Sequence, residues 1–171
     1  AAEVADAIAA LGVAGVAICF LNSYVDDHHE LAMAEICRSR LGPRVSIVTS
    51  ASVLPEMREF ERLTTTVMSA YVGPVMSDYL RSLAASLAQT GVHAPIFVME
   101  SAGGVMPAAL AATFPVHTIE SGPAAGVIAA ARFGGDCGAD HIVAFDMGGT
   151  TAKAALVRGG RPDITHDFIV G

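Results

Sequence analysis

The sequence predicts an α/β fold, and three observations predict it. Short apolar runs alternate with stretches of helical periodicity along most of the 171 residues. One apolar run, Ile142–Phe145, leads into Asp146, and the glycine pair Gly148-Gly149 and the hydroxyl pair Thr150-Thr151 follow. A second alternating run starts at Ala152, so this turn joins two strands instead of opening a helix.

The elements follow in order. Val4–Leu11 reads as the end of a helix closed by Gly12, and Val16–Asn22 as a buried strand. Asp26-Asp27-His28-His29-Glu30 opens a helix to Leu41, stopped by Gly42-Pro43. Val45–Thr49 alternates as a strand. From Glu56 to about Thr90, the residues Phe60, Leu63, Val67, Tyr71, Val75, Tyr79, Leu83 and Leu87 fit one face of a helix. Gly73-Pro74 falls in its middle, and a proline has no N–H to give, so a kink or two abutting helices are expected. Pro95–Glu100 reads as a strand, Pro107–Thr113 as a helix and Val116–Ile119 as another strand. Gly122–Phe133 is a helix of small residues, in which Gly126, Ala129 and Ala130 suit close backbone packing. It leads through Gly134–Ala139 to the strand that delivers Asp146. Ala152–Val157 is the next strand, Gly159-Gly160 a hairpin turn, and Ile164–Val170 a last strand with Ile164, His166, Phe168 and Val170 on one face.

The turn after Asp146 has the chemistry of a phosphate site. Glycines allow backbone N–H groups to approach a phosphate closely. Thr150 and Thr151 add hydroxyl donors, and the carboxylate of Asp146 suits Mg²⁺ held through water. No G-x-x-x-x-G-K-[ST] loop is present. A phosphate turn between antiparallel strands resembles the actin-like ATPase superfamily of sugar kinases, heat-shock chaperones and actin, whose Asp-x-Gly-Gly-Thr turn grips ATP.

Four further segments narrow the resemblance: Pro55–Arg62, Thr65–Tyr71, Ser101–Met106 and Thr118–Val127. With Phe145–Thr151 they resemble the hydantoinase A / 5-oxoprolinase family, whose relatives include the ATP-using subunits of acetone and acetophenone carboxylases. The resemblance runs over nearly the whole chain. It implies a ribonuclease-H-like fold, with residues 1–135 as the C-terminal part of a first lobe carrying a helical insertion and 136–171 as the opening strands of a second. It implies ATP and Mg²⁺ as cofactors and ATP-dependent hydrolysis of a cyclic amide such as a hydantoin or 5-oxoproline. A carboxylase subunit and an actin- or chaperone-like nucleotide switch are the alternatives. Members of the family are several times longer, carry another such turn near the N-terminus and work with a B-type subunit or domain. The chain is therefore expected to be a fragment with one phosphate turn of two.

The resemblance also suggests roles. Asp146 is the expected metal and catalytic carboxylate, and Gly148, Gly149, Thr150 and Thr151 the nucleotide-binding turn. Glu120 stands where relatives place groups that orient the attacking water, although capping the following helix is an equal reading. Ser101–Gly104 is either an active-site turn or a cap. Arg58 and Arg62 suit a substrate carboxylate or ring carbonyl, since guanidinium binds such groups bidentately; the plainer reading is a solvated charge cluster with Glu59 and Glu61. Lys153 departs from the commonest family form, which has an acid there. It either neutralises phosphate charge or points outward.

Asp26, Asp27, His28, His29 and Glu30 are all metal-ligand types, but they are adjacent and lack i, i+4 histidines. A helix cap, with Asp26 or Asp27 at the N-terminus and Glu30 reaching back, accounts for them. Net charge is −7 with scattered basic residues, which argues against a nucleic-acid surface. No apolar run reaches the ~18 residues of a membrane span. Cys19, Cys37 and Cys137 are odd in number and far apart, so a disulfide framework is not expected and a reducing cytoplasm fits.

Overall fold

A computed structural model of the chain describes residues 1–164 and divides them into two compact units. The first comprises Ala1–Val98 and Pro107–His117, and the second Met99–Met106 with the chain from Thr118 onward.

The first unit is layered helix, sheet, helix. Strands β1 (Gly15–Ile18) and β2 (Ser46–Thr49) pair in parallel, Gly15 with Ser46 through Ile18 with Thr49. Side chains of a strand alternate between faces, so Val16, Ile18 and Ile47 share one face and Ala17 and Val48 the other. The first face packs with Ala5 of α1 (Ala2–Ala10) and with Ala34 and Cys37 of α2 (His28–Leu41). The opposite face packs with Val53 of the short α3 (Ser50–Val53), with Val116, and with Ala70 of α4 (Glu59–Gln89).

Helix α4 is one element of 31 residues with Pro74 inside it, so of the kink or two abutting helices expected there, the two-helix form is not found. Its orientation is the larger surprise. The apolar stripe faces out, with Phe60, Val67, Tyr71, Val75 and Tyr79 all exposed. The buried face is Arg62, Thr66, Ser69, Ala70, Gly73 and Leu80. Small residues permit this. A Cβ on Gly15 would lie 2.5 Å from the Ala70 carbonyl oxygen, so helix and strand touch backbone to backbone.

Strands β3 (Phe97–Met99) and β4 (Val105–Pro107) form a hairpin through Ser101–Gly104, closed by Gly103 N–H to Glu100 C=O at 3.0 Å and Glu100 N–H to Gly104 C=O at 2.8 Å. Helix α5 (Ala108–Thr113) follows β4. The strand expected at Val116–Ile119 is instead a 3₁₀ turn, Pro115–Thr118, which inserts Val116 into the core around Val48.

In the second unit α6 (Ser121–Asp136) packs on an antiparallel sheet of β5 (Ile142–Met147), β6 (Ala152–Arg158) and β7 (Arg161–Pro162). Of Gly126, Ala129 and Ala130, the first two are exposed and Ala130 is partly covered, and a Cβ on Gly126 would meet nothing, so Gly126 makes no close approach within this unit. Gly134 makes it instead, buried against Ile142 and the Ala139 carbonyl. The Gly159-Gly160 turn is as expected, with φ of 56° and 70° that only glycine adopts freely. The predicted strand Ile164–Val170, with His166 and Phe168, lies outside the described residues except for Ile164, which is exposed and not in a strand.

Candidate phosphate-binding site

The expected turn is present. Strands β5 and β6 pair from Ile142 with Val157 to Met147 with Ala152, leaving Gly148–Thr151 as the connection. It is closed by Gly148 N–H donating to Thr151 C=O at 2.9 Å. All four turn residues are exposed.

Asp146 is the penultimate residue of β5, but the strand is not the buried one foreseen. Only Ile142 and Ala144 are partly covered, on the side where α6 packs, while Val143, Phe145 and Met147 are open on the other. Asp146 is itself exposed and makes no ion pair among the described residues. Its carboxylate thus suits a hydrated divalent cation, which takes one or two carboxylates and keeps waters.

Lys153 stands directly opposite Asp146 in the ladder. Its ammonium does not pair with that carboxylate; it contacts the carboxylate of Glu120. Glu120 sits at the N-cap position of α6 in the left-handed region, φ 65° and ψ 18°, and its side chain makes no capping hydrogen bond. It follows a 3₁₀ turn and not a strand end. Neither reading of Lys153 anticipated this pairing. Counting back across a four-residue turn would have placed Lys153 beside Asp146, but the Glu120 contact depends on how α6 is laid on the hairpin. Ser101 also reaches this neighbourhood of the chain, its hydroxyl donating to the Ile119 carbonyl.

Arg58 and Arg62 belong to the first unit and differ in kind. Arg58 is exposed and pairs loosely with Glu61 at 3.7 Å. Arg62 is completely buried, which contradicts a solvated pair of arginines. Its Nη2 donates to the Phe20 carbonyl at 2.6 Å and approaches Cys19 Sγ at 3.7 Å, and the guanidinium lies 5.5 Å from the Tyr24 ring centre. Nε and Nη1 have no hydrogen-bond partner among the described residues.

Glu30, read from the sequence as part of a cap, is also fully buried. It accepts hydrogen bonds from Phe20 N–H (2.8 Å), Ser23 Oγ (2.8 Å), Ser50 Oγ (2.6 Å) and Ala51 N–H (2.9 Å). Burial raises its pKa, but these donors outweigh burial and hold the carboxyl below the usual glutamate value. Asp27 holds the N-cap position with no side-chain capping bond, and Asp26, one residue before it, accepts from His28 N–H at 3.1 Å and Nδ1 at 2.8 Å. Among the described residues no group of three metal-ligating side chains occurs. No helix there is long and apolar enough to cross a membrane.

The sequence model of the hydantoinase/oxoprolinase family matches residues 62–171. The chain belongs to the hydantoinase/oxoprolinase family. An uncharacterised protein of Methanocaldococcus jannaschii is 41% identical to this family member over 156 residues, 91% of the chain and 23% of the relative. The caprolactamase alpha subunit of Pseudomonas jessenii is 34% identical over 155 residues, 91% of the chain and 22% of that subunit. Among solved structures, the nucleotide-free form of acetone carboxylase, studied for ATP-dependent acetone carboxylation, superposes with a TM-score of 0.79 at 27% identity, over 95% of the chain and 24% of its own. The present hydantoinase/oxoprolinase chain thus spans under a quarter of these proteins' lengths.

Proposed function

We propose that the chain is the part of an ATP-dependent hydrolase of cyclic amides that carries one phosphate-binding turn. The observation that carries the reading is the hairpin β5–turn–β6, which presents Asp146 beside the exposed glycine and threonine donors. In this reading Gly148 and Gly149 offer backbone N–H groups, Thr150 and Thr151 offer hydroxyls, and Asp146 holds Mg²⁺ through water. The metal supplies charge neutralisation on the phosphates. Glu120 orients the group that attacks the γ-phosphoryl. Positioning and electrostatics carry phosphoryl transfer in general, so exposed donors fixed by a short turn suit the task.

The same reading gives the fold a ribonuclease-H-like, actin-like ATPase architecture, residues 1–135 contributing to the first lobe and 136–171 opening the second. The open apolar face of Val143, Phe145 and Met147 supports this, because it suits packing by further elements of that lobe. A B-type partner subunit completes the ring-opening machinery, in a cytoplasm that suits three free thiols.

Acetone carboxylase as a structural relative favours a second reading, an ATP-using carboxylase subunit. The test is ATP hydrolysis by the full-length protein with hydantoin, 5-oxoproline, caprolactam or acetone with bicarbonate. Stimulation by a cyclic amide is expected. Stimulation by acetone alone moves the protein to the carboxylases, and stimulation by none favours a nucleotide switch.

A further inference from the structure

We propose that Lys153 is a phosphate-binding residue held in reserve by Glu120. Its ammonium sits on the Glu120 carboxylate, and it moves to a phosphate oxygen when nucleotide docks. The inference rests on the nucleotide reading above and names a device within that site.

Three observations carry it. First, Lys153 is the cross-strand partner of Asp146, one residue beyond the Met147–Ala152 pair that flanks the turn. Directly opposed side chains lie on the same face, so the ammonium is anchored beside the phosphate turn whichever acid it touches. Second, it bonds Glu120 and leaves Asp146 without an ion pair among the described residues, which keeps Asp146 open for a metal. Third, the side chains of Lys153 and Glu120 are 37% and 31% exposed. Both groups are partly covered but keep contact with water, so the pair can exchange for a stronger partner. A polyphosphate is the stronger partner for a lysine, carrying several charges and acceptor oxygens. The exchange releases the carboxylate of Glu120 at the moment the phosphate arrives, so that group becomes available to orient water or substrate only in the loaded site. The lysine keeps all its protons throughout; one ion pair is replaced by another.

The test is a double-mutant cycle on nucleotide affinity in the full-length protein. Binding of a fluorescent ATP analogue with Mg²⁺ is titrated for wild type, E120Q, K153M, K153R and the E120Q/K153M double variant, with circular dichroism as the check of folding. K153M should bind about tenfold more weakly, and K153R should restore most of the loss. E120Q should bind about three- to tenfold more tightly, because the lysine no longer has a competitor. In the K153M background the E120Q gain should vanish. If the gain persists there, E120Q acts by general charge removal and the exchange is overturned. A purely structural ion pair predicts weakened binding or none of these changes in E120Q, which also overturns it. Should K153M fail to fold, the same cycle is run with K153Q, alone and combined with E120Q, and its outcomes are read in the same way. Absence of nucleotide binding by wild type overturns the phosphate site as a whole, and with it this role; binding by wild type with a flat cycle overturns only the exchange.

Discussion

At the scale of single residues, two acids carry opposite assignments. Asp146 is exposed at the mouth of the turn, and nothing in its packing requires a carboxylate. Asp146→Ala is therefore expected to abolish ATP hydrolysis in the full-length protein while leaving unfolding by urea within about 0.5 kcal/mol of wild type. Turnover within twofold of wild type would refute its role. Glu30 is the reverse case, a buried carboxylate that binds the turn after β1 to the start of α3. Glu30→Gln places an amide N–H₂ against donors, at a cost of roughly 2–4 kcal/mol. The pH dependence follows from its lowered folded-state pKa. The unfolded chain takes up a proton first as pH falls, so the stabilisation is whole above the ordinary value of 4.5 and is lost as pH drops below it, through the folded-state value. Urea titrations at pH 7, 5, 4 and 3 should show this loss in wild type and a flatter profile in the glutamine variant. Equal pH slopes in both would rule it out. The sequence suggested a cap for Glu30 because its neighbours are polar and local. Its real partners lie up to 21 residues away in the chain, and no short pattern encodes them.

At the scale of elements, what was legible was local. The strand, the glycine pair and the second strand predict the hairpin because turn chemistry needs only adjacent residues. The helices around Glu30 and Ser121 start within a residue or two of their expected positions. The inward face of α4 was not legible. Eight regularly spaced apolar residues suggest a core stripe, yet Thr66, Ser69 and Gly73 pack inward because the approach to the sheet is too close for large side chains. Gly15→Ala tests that account. The added methyl would meet the Ala70 carbonyl at 2.5 Å, backbone against backbone, with no flexible end to yield. A loss of about 1–3 kcal/mol is expected from thermal or urea unfolding. An unchanged midpoint would mean that α4 stands farther from β1 than described. The Val116–Ile119 segment failed as a strand for a similar reason: its apolar residues serve a 3₁₀ turn that packs Val116, and four residues are too few to separate the two periods.

At the scale of the whole chain, the candidate site is sparse. It has one turn and one free carboxylate, both exposed, and one half-buried, ion-paired lysine. A nucleotide bound by these groups alone stays largely hydrated, and little free energy remains after the cost of association. The 171-residue chain is expected to bind Mg-ATP no more tightly than about 1 mM in isothermal titration. Micromolar affinity would show that the site is more complete than described. The three thiols also divide between the units. Cys37 is sealed in the core between α2 and β1, and burial raises its pKa; Cys137 lies exposed just after α6. Cys19, in the first unit, is half-buried; with Cys19→Ser in place, a maleimide reagent would therefore read the two units on different clocks. Cys137 should label at the rate of a free thiol, whereas Cys37 should wait for the first unit to open. Its labelling rate then measures that opening directly, without a denaturant and without a spectroscopic change in either unit.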